Sequence, residues 1–495
     1  MKTIGRALTN WNSRGFPLPL LVILLALMIR LPLYHTPYWR TDDTGEYLNV
    51  ARNLALGRGL TQSVKFRLFQ TDPVITSALK GRPVATAIAL SFLLRIKNDA
   101  YFLQLGYLLL NALNAGLVYL LCRSFFSAKL SFFGGLLAAF NPNMFVNSRL
   151  ILSEPLLIFW VLIAMVVFFR MREQAGKYFI LGILAGLAYL TRLEGLFILP
   201  AFGWSLKRKP RYLFLLFLGF LLTALPFFYL NFRLNGNPLF TYNEIYFRVR
   251  SLQEALGGGF ERPIPAIAEF VRQNYLWIIS RLGINLINHL NSFMTFGYFG
   301  PLIFFVLYGF RRWQKFSPLL IFSFLTLGLY TLLWAAIFER ERHFIVIYLL
   351  LLPLVLQFLK EFSRWPLPSV VSVLTLSVYL VLDIHRIFWA RNTEPQIDIW
   401  NRLEKQEVYR WIDKHTAPSA IFATTNALQF NIFVDRPAIL VPDNLSKDNF
   451  VRFIREYRVK YFLCEREKGY GFFRDRGRLV ADFAGARIYC VSDCD

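Results

Sequence analysis

Acidic side chains that could carry chemistry stand at only a few points of this strongly apolar chain. Asp42 and Asp43 are adjacent, and two neighbouring carboxylates repel each other unless a cation or a proton lies between them. A carboxylate of this kind can act as a general base. Asp43 and Glu46 also have the spacing of a helix capping box, so a purely structural role explains the same residues.

Glu154 is a second candidate acid. It opens a long apolar run, and the positive end of a helix stabilises a carboxylate at that position. Ser153 as a helix cap and Pro155 in the first turn are the structural alternative. Neither Asp43 nor Glu154 identifies a reaction by itself.

Basic residues are concentrated in Arg340-Glu341-Arg342-His343. Arginine presents a planar set of donors that suits phosphate, which favours an anion site. The alternative of equal weight is that these long side chains reach to the membrane surface and pair with their acidic neighbours. Arg82, Arg192 and Arg30 are weaker members of the same set.

The composition shows which elements must position these residues. The chain has 495 residues, of which 56% are hydrophobic and 17% charged, and a mean hydropathy of +0.43; soluble domains have roughly 25% charged residues. Runs of about 17–25 apolar residues predict membrane-spanning helices. They occur in about eleven places, near residues 17–34, 101–122, 130–146, 154–169, 178–192, 194–206, 212–230, 290–310, 317–337, 343–359 and 366–388.

The net charge of +24 is located almost entirely in the apolar part. From residue 391 onward the chain has 17 of its 55 Lys and Arg residues and 15 of its 31 Asp and Glu residues. The preceding part therefore has a large basic excess within apolar sequence, which argues against nucleic acid as a partner. Short cytoplasmic loops collect Lys and Arg, and the basic connections alternate accordingly. This predicts a multi-pass protein of the cytoplasmic (inner) membrane, with its C-terminal segment outside the cytoplasm.

Three regions are expected on the outer side. The first outer loop, residues 35–100, contains helical patterns at Tyr47–Leu56 and Pro83–Ile96, which predict helices on the membrane surface. The second, residues 231–289, is expected to be a mobile loop around its run of three glycines. The first apolar run reads as a retained span, because no cleavage pattern follows it.

The third outer region is predicted to be a small soluble α/β domain, which sets domain boundaries at 1–390 and 391–495. Helices are expected at Glu404–His415 and Asn449–Tyr457. The predicted strands are Ala420–Thr424, Ala438–Val441, Lys460–Cys464 and Arg487–Val491. The location permits one disulfide, and its pairing among Cys464, Cys490 and Cys494 is open.

Several common catalytic motifs do not occur in the sequence. It has no phosphate-binding glycine-rich loop, no HExxH, no CxxC and no GxSxG. Nucleotide hydrolysis is therefore disfavoured. A reaction at the outer surface that takes an activated group from the lipid phase fits these absences.

At this point the sequence resembles a known family. Tyr38–Leu54, followed by Gly57 and Gly59, is similar to the first outer loop of bacterial GT-C glycosyltransferases. The nearest resemblance is to dolichyl-phosphate-mannose protein mannosyltransferase-like enzymes of glycosyltransferase family 39 and to lipid A aminoarabinose transferases. Four further motifs follow in the family's order: Gly81-Arg82-Pro83, Leu152-Ser153-Glu154-Pro155, Thr191-Arg192-Leu193-Glu194 and Arg340-Glu341-Arg342-His343. The resemblance covers residues 1–390, and the C-terminal domain matches the smaller outer domain of many members.

The resemblance implies a polytopic GT-C fold and the inverting transfer of one sugar, a hexose or pentose, from a polyprenyl-phosphate carrier to an acceptor hydroxyl on a protein, lipid or glycan. It implies that Asp43, four residues before Tyr47, is the catalytic base, with Asp42 as the fallback. Glu154 corresponds to a second acidic residue that places the acceptor or a cation. The remaining implied site residues are Arg82, Arg340, Arg342 and His343 for the donor phosphate. Tyr47 and Arg192 are further candidates.

The sequence departs from the family at two positions that concern a metal. Gly81 stands where aminoarabinose transferases have an acidic metal ligand, and Thr44 stands where many mannosyltransferases have an acidic residue. No cofactor is established, and a divalent metal is left open, with Asp43 and Glu154 as its candidate ligands. The expected partners are the lipid-linked donor, membrane lipids and the acceptor.

Two other classes of protein fit much of the same pattern. A transporter or lipid flippase would also have many spans and arginines at membrane depth. Transporters place such residues near the middle of the membrane, whereas here they gather at the outer ends. A non-catalytic lipid-binding or assembly protein is the third reading, and it predicts that Asp43 is dispensable.

Overall fold

The computed structural model of the chain is mainly helical, with a mixed β-sheet in its C-terminal part. The predicted fold class, a helical membrane protein with a small α/β unit, is confirmed. The domain boundary at residue 391 stays a prediction. The structure describes residues 17–34, 42–66, 74–79, 81–148, 150–242, 248, 266–333, 341–392, 403–441, 447–465, 477–483 and 486–492.

The helices and strands follow one another in two parts. Up to residue 235 they are α1 (Leu18–Arg30), α2 (Asp42–Ala55), β1 (Thr61–Gln62), β2 (Val64–Lys65), β3 (Ser77–Ala78), α3 (Ala85–Ile96), α4 (Ala100–Cys122), α5 (Ala128–Ala139), α6 (Pro142–Asn147), α7 (Glu154–Arg170), α8 (Ala175–Thr191), α9 (Ile198–Leu206) and α10 (Pro210–Asn235). The others are α11 (Ile267–Met294), α12 (Ile303–Gly309), α13 (Trp313–Leu333), α14 (Ile345–Glu361), α15 (Pro366–Asn392), α16 (Leu403–His415), β4 (Phe422–Thr424), α17 (Ala427–Phe433), β5 (Ala438–Leu440), α18 (Lys447–Tyr457), β6 (Tyr461–Glu465), β7 (Arg478–Asp482) and β8 (Ala486–Cys490).

Many of the helices could cross a membrane. In the described ranges, five stretches are long and apolar enough by length and composition: Tyr101–Cys122, Pro210–Asn235, Gly300–Leu332, Arg342–Glu361 and Pro366–Phe388. Shorter apolar helices accompany them at Leu18–Leu33, Ala85–Ile96, Ala128–Ala139, Ala175–Thr191 and Leu193–Leu206. The number of about eleven spans stays a prediction.

The predicted span 130–146 is interrupted. The Asn141 side chain accepts hydrogen bonds from the N–H groups of Asn143 and Met144 and so caps a new helix. Pro142 has no N–H to continue the preceding one. The apolar run therefore divides into α5 and α6.

The predicted span 290–310 also differs from the observed helices. Helix α11 ends at Met294, and the chain turns through Gly300, whose φ of +50° favours glycine. Helix α11 is 28 residues long and begins within the region expected to be a loop. Its apolar residues are separated by Arg and Asn, so a search for continuous apolar runs does not find it.

The two helices predicted in the first outer loop are present as α2 and α3. The apolar side chains of α2, including Tyr47, Leu48 and Ala51, pack against α3 and α4. The other side of α2 contacts α17. Helix α2 is therefore covered by protein on two sides, a burial that its sequence pattern does not show.

The C-terminal sheet has six strands in the order β2-β5-β4-β6-β8-β7. The strands β2, β5, β4 and β6 are parallel to their neighbours, and β6, β8 and β7 are antiparallel. All four strands predicted in this domain and both helices are observed. Strand β7 and helix α17 were not predicted, and neither was β2, which comes from the first outer loop. The outer loop and the C-terminal domain thus share one sheet.

The cysteines of the C-terminal domain differ in state. Cys490 is disulfide-bonded, and Cys464 is a free thiol. Cys464 is thereby removed from the open pairing. Cys494 lies outside the described residues.

Candidate active site

Segments from five parts of the chain meet at one end of the helices. They are the first turns of α2, the loop before α3, the start of α7, the turn after α8 and the short 3₁₀ segment Glu341–Phe344 before α14. Each segment contributes a charged side chain. These segments hold most of the residues singled out in the sequence.

Asp43 lies between two arginines. Its Oδ1 is 2.6 Å from Nη2 of Arg82, and its Oδ2 is 2.5 Å from Nη2 of Arg342. The Asp43 side chain is 28% exposed, so the carboxylate remains open to a substrate on one side. Each oxygen of the proposed base therefore has its own cationic partner.

Glu154 is more deeply buried, with a side chain that is 5% exposed. Its Oε1 is 3.1 Å from Nε of Arg342, 3.2 Å from Nδ1 of His343 and 3.3 Å from Nη1 of Arg192. Neither oxygen has a partner in hydrogen-bond geometry among the described residues. Glu154 is thus held chiefly by the charges of Arg342 and Arg192. Because Arg342 contacts both Asp43 and Glu154, it joins the two candidate acids.

Arg82 has a second carboxylate partner. Its Nη2 is 2.7 Å from Oε2 of Glu46, and its guanidinium lies 4.9 Å from the ring centre of Tyr47. Burial disfavours the charge of Arg82, but the carboxylates of Glu46 and Asp43 outweigh it and raise the pKa of Arg82 above its ordinary value. Burial raises the pKa of Tyr47, which keeps its phenol neutral. Glu46 was read from the sequence only as part of a capping box.

Arg192, which contacts Glu154, is held in place by hydrogen bonds to two other side chains. Its Nε and Nη2 donate to Oε1 of Glu194 at 3.1 and 2.9 Å, and its Nη1 donates to Oγ of Ser153 at 3.0 Å. The hydroxyl of Tyr330 also donates to Oε1 of Glu194. Glu194 belongs to the motif Thr191-Arg192-Leu193-Glu194, which the sequence resemblance includes. Tyr330 lies in the apolar helix α13, and nothing in the sequence indicated a role for it in the site.

Three residues from the sequence analysis lie elsewhere or cannot be placed. The side chain of Asp42 and the whole of Arg340 are outside the described residues. Arg30 is not part of the cluster. It is fully buried at the end of α1, where it donates to Oγ of Ser148 at 2.8 Å and to the carbonyl oxygen of Ala139 at 2.7 Å.

A divalent metal does not fit the described residues of this site. In these ranges no three His, Cys, Asp or Glu side chains converge on one point. Asp43 and Glu154, the candidate ligands, each face arginine, which repels a cation. The site instead combines carboxylates that can take a proton with guanidinium groups that can bind an anion.

Comparison with known proteins identifies the architecture. Residues 82–230, less than half of the chain, match the profile of the dolichyl-phosphate-mannose-protein mannosyltransferase family. ArnT from Cupriavidus metallidurans, solved bound to undecaprenyl phosphate, superposes with a TM-score of 0.62 at 12% identity, over 95% of this chain and 97% of ArnT. The chain has the GT-C glycosyltransferase fold. The resemblance to GT-C enzymes stated from the sequence is thereby confirmed.

More distant GT-C structures agree. The Archaeoglobus fulgidus oligosaccharyltransferase in complex with Zn and sulfate gives a TM-score of 0.58 at 16% identity, over 92% of this chain and 69% of that chain. A further structure of an oligosaccharyltransferase from the same organism, AglB from Archaeoglobus fulgidus with an inhibitory peptide and a dolichol-phosphate, gives a TM-score of 0.56 at 14% identity, over 90% of this chain and 69% of that chain. No curated protein sequence matches this chain significantly. With its apolar helices, the GT-C fold makes this chain a multi-pass membrane protein.

Proposed function

We propose that the protein is an inverting glycosyltransferase. It transfers one sugar from a polyprenyl-phosphate carrier to an acceptor hydroxyl at the outer face of the membrane. The observation that carries this proposal is the position of Asp43, partly exposed and held between Arg82 and Arg342. A base and an anion site lie side by side there, as a displacement at a sugar phosphate requires.

The proposed reaction is a single displacement at the anomeric carbon. Asp43 takes the proton of the acceptor hydroxyl while the acceptor oxygen bonds to that carbon. The bond from the carbon to the phosphate oxygen breaks, and the phosphate keeps the electron pair. Attack opposite the leaving group inverts the configuration. No nucleotide is consumed, because the lipid phosphate is itself the leaving group.

Arg342, His343 and Arg340 are proposed to bind the donor phosphate and to stabilise the charge that develops as it departs. We give Arg342 the larger part, because its guanidinium contacts Asp43 directly. Arg82 would have to share its guanidinium between the phosphate, Asp43 and Glu46, so we give it the smaller part. Glu154 is proposed to keep this group of cations together and to place the acceptor.

The proposed membrane is the cytoplasmic membrane, with the site and the C-terminal domain on its outer side. Helix α7 begins at Glu154 in the site and ends at Arg170. Basic residues such as Lys209 and Arg312 lie at the far ends of neighbouring helices, where each is paired with a glutamate. A basic cytoplasmic side opposite the site agrees with the positive-inside rule.

The donor and acceptor classes draw on the similar structures. ArnT was solved with undecaprenyl phosphate, and AglB with a dolichol-phosphate and a peptide. These ligands support a polyprenyl-phosphate-linked hexose or pentose as the donor. The Archaeoglobus fulgidus oligosaccharyltransferase was also solved tethered with an acceptor peptide. That peptide supports a protein acceptor as the first of the three acceptor classes, ahead of a lipid or a glycan.

Turnover tests the proposal. Purified protein is given polyprenyl-phosphate sugars and hydroxyl acceptors, and released polyprenyl phosphate is measured. Asp43→Asn should lower kcat by about 10²–10⁴-fold, because the acceptor proton has no base to accept it. Asp482→Asn is the matched control, since Asp482 is an exposed carboxylate paired with Arg487 on the C-terminal sheet. The anomeric configuration of the product, read by NMR, should be inverted.

Other results would support the two alternative classes of protein, a transporter or flippase and a non-catalytic assembly protein. Equal turnover by the wild type and Asp43→Asn would remove Asp43 from the role of base. No turnover with any donor, together with movement of the lipid across vesicles, would favour a transporter or flippase. Lipid binding without turnover or movement would favour an assembly protein.

A further inference from the structure

Helix α2 has two functional sides. The side that faces the candidate active site carries Asp43 and Glu46. About a third of a helical turn away, at spacing i, i+4 and i+7, lies a second set that contacts the C-terminal domain. We term this set the docking stripe: Gly45, Asn49 and Arg52.

At Gly45 the two segments touch through their backbones. A Cβ atom built on Gly45 would lie 2.9 Å from both the Cβ and the carbonyl oxygen of Leu428, in α17. Real Cβ atoms do not approach so closely, so any larger residue must push α2 and α17 apart. The first turn of the helix that carries Asp43 is therefore seated directly on the C-terminal domain.

Asn49 stands in the middle of a buried chain of hydrogen bonds. Its Oδ1 accepts from the N–H of Ser63 at 2.8 Å, and its Nδ2 donates to Oδ1 of Asn431 at 2.6 Å. Asn431 in turn donates from Nδ2 to the carbonyl oxygen of Arg436 at 2.9 Å, just before β5. These bonds connect the first outer loop, α2 and the C-terminal sheet and define the rotation of α2.

Arg52 completes the stripe at the other end of α2. Its Nη1 donates to the carbonyl oxygen of Asn431 and its Nη2 to that of Ile432, each at 2.6 Å. These carbonyl groups belong to the last turn of α17, where a cation is stabilised by the helix end. A single guanidinium thus fixes α2 along the helix axis relative to α17.

We propose that the docking stripe is a positioning device for Asp43, so that the C-terminal domain sets the placement of the base in the active site. The inference rests on the function proposed above. Strand β2, which follows α2, is itself a member of the C-terminal sheet and pairs with β5 through Val64 and Ala438. The domain therefore holds α2 both through its side chains and through the chain that leaves it.

Loss of the docking-stripe contacts should slow the chemical step of the proposed reaction. Asn49 lies six residues, about 9 Å along the axis, from Asp43, and neither it nor Arg52 contacts Arg342 in the described structure. Loosening the stripe displaces the base while leaving the Arg342 side of the phosphate site in place. A misplacement of about 1 Å can cost about 10²-fold in rate.

The test replaces Arg52 and separates kcat from donor binding. Arg52→Met removes both hydrogen bonds to α17 and should lower kcat by about 10–100-fold, with the donor Kd within about 2-fold of wild type. Arg52→Lys keeps the charge and one donor, so it should restore part of kcat. Arg58→Met is the matched control, because Arg58 pairs with Asp435 of the same domain but is half exposed. It should leave kcat unchanged.

Hydrogen–deuterium exchange provides a readout independent of turnover. In Arg52→Met and in Asn431→Ala, amides of α2 should exchange faster, while those of α3 keep their wild-type rates. An unchanged kcat in Arg52→Met would overturn the positioning role. So would faster exchange throughout the chain, since that reports general destabilisation.

Failure of this inference can be told apart from failure of the proposed function. If the wild type transfers no sugar, the proposed function fails, and selective exchange in α2 still shows whether the stripe holds this helix. If the wild type is active and Arg52→Met matches it in kcat, only the positioning role is lost.

Discussion

Arg342 and Asp43 are 299 positions apart in the chain, yet Nη2 of Arg342 donates a hydrogen bond to Oδ2 of Asp43. The same guanidinium contacts Glu154 through Nε. Asp43 and Glu154 therefore share the arginine that is proposed to bind the donor phosphate. A donor phosphate bound at the proposed position would share the Arg342 guanidinium with both carboxylates.

Replacing Arg342 should weaken donor binding. Arg342→Gln removes charge-assisted hydrogen bonds, so the donor Kd should rise by about 10–100-fold. In Arg342→Lys the donor Kd should rise less, since lysine keeps the charge but lacks the planar guanidinium. Equilibrium binding of a polyprenyl-phosphate sugar measures both. Arg312→Gln, an exposed arginine at the far end of the helices, is the control; a normal Kd in Arg342→Gln would leave Arg342 as a structural anchor.

Replacing Glu154 should destabilise the fold. Glu154→Gln removes the carboxylate that Arg192 and Arg342 share. Arg192 keeps Glu194 and Arg342 keeps Asp43, so the cost should lie below the roughly 3–5 kcal/mol of a fully uncompensated buried charge. Thermal unfolding in detergent should show a lower Tm. Glu173→Gln, in an exposed pair with Lys209, should leave the Tm unchanged. Equal Tm values for both variants would contradict the charge-held geometry of Glu154.

The contribution of Arg82 should not depend on pH in the neutral to moderately alkaline range. The pKa of Arg82 is raised in the folded state, so its stabilising charge is present below the unfolded pKa and is lost only as pH rises through the higher folded value. Both values lie above the range of about pH 7 to about pH 9.5. The Tm difference between wild type and Arg82→Met should be constant across that range, and a difference that shrinks toward the alkaline end would show that Arg82 loses its proton there.

The membrane topology can be tested with reporters. A reporter active only outside the cytoplasm, fused after Asp495, should be active, because an odd number of spans puts the C-terminal domain outside. The same reporter inserted after Glu361, at the end of α14, should be inactive. A cytoplasmic signal from the first fusion would contradict the predicted number of spans.

The sequence predicted the types of the site residues better than their contacts. Asp43, Glu154 and Arg342 were recognised because charged residues are rare in this apolar chain, and the structure brings them together. Glu46 was missed because the capping-box spacing explained it locally. Tyr330 was missed because a tyrosine in an apolar helix carries no signal until Glu194 is placed beside its hydroxyl.

The fold shows the same division. Long apolar runs predicted most helices within a few residues, because burial in lipid needs only composition and length. Helix α17 is seven residues long, too short for a periodic pattern. The pairing of β2 with β5 depends on residues far apart in the chain, and two residues of β-strand carry no information about their partner.

The shared sheet also has a consequence for biogenesis. Asn49 and Asn431 are separated by 382 positions, so the ribosome needs on the order of tens of seconds between them. Throughout that time α2 and β2 have been synthesised, but their partners α17 and β5 have not. During this part of synthesis, the side of α2 that contacts α17 in the finished fold is therefore uncovered.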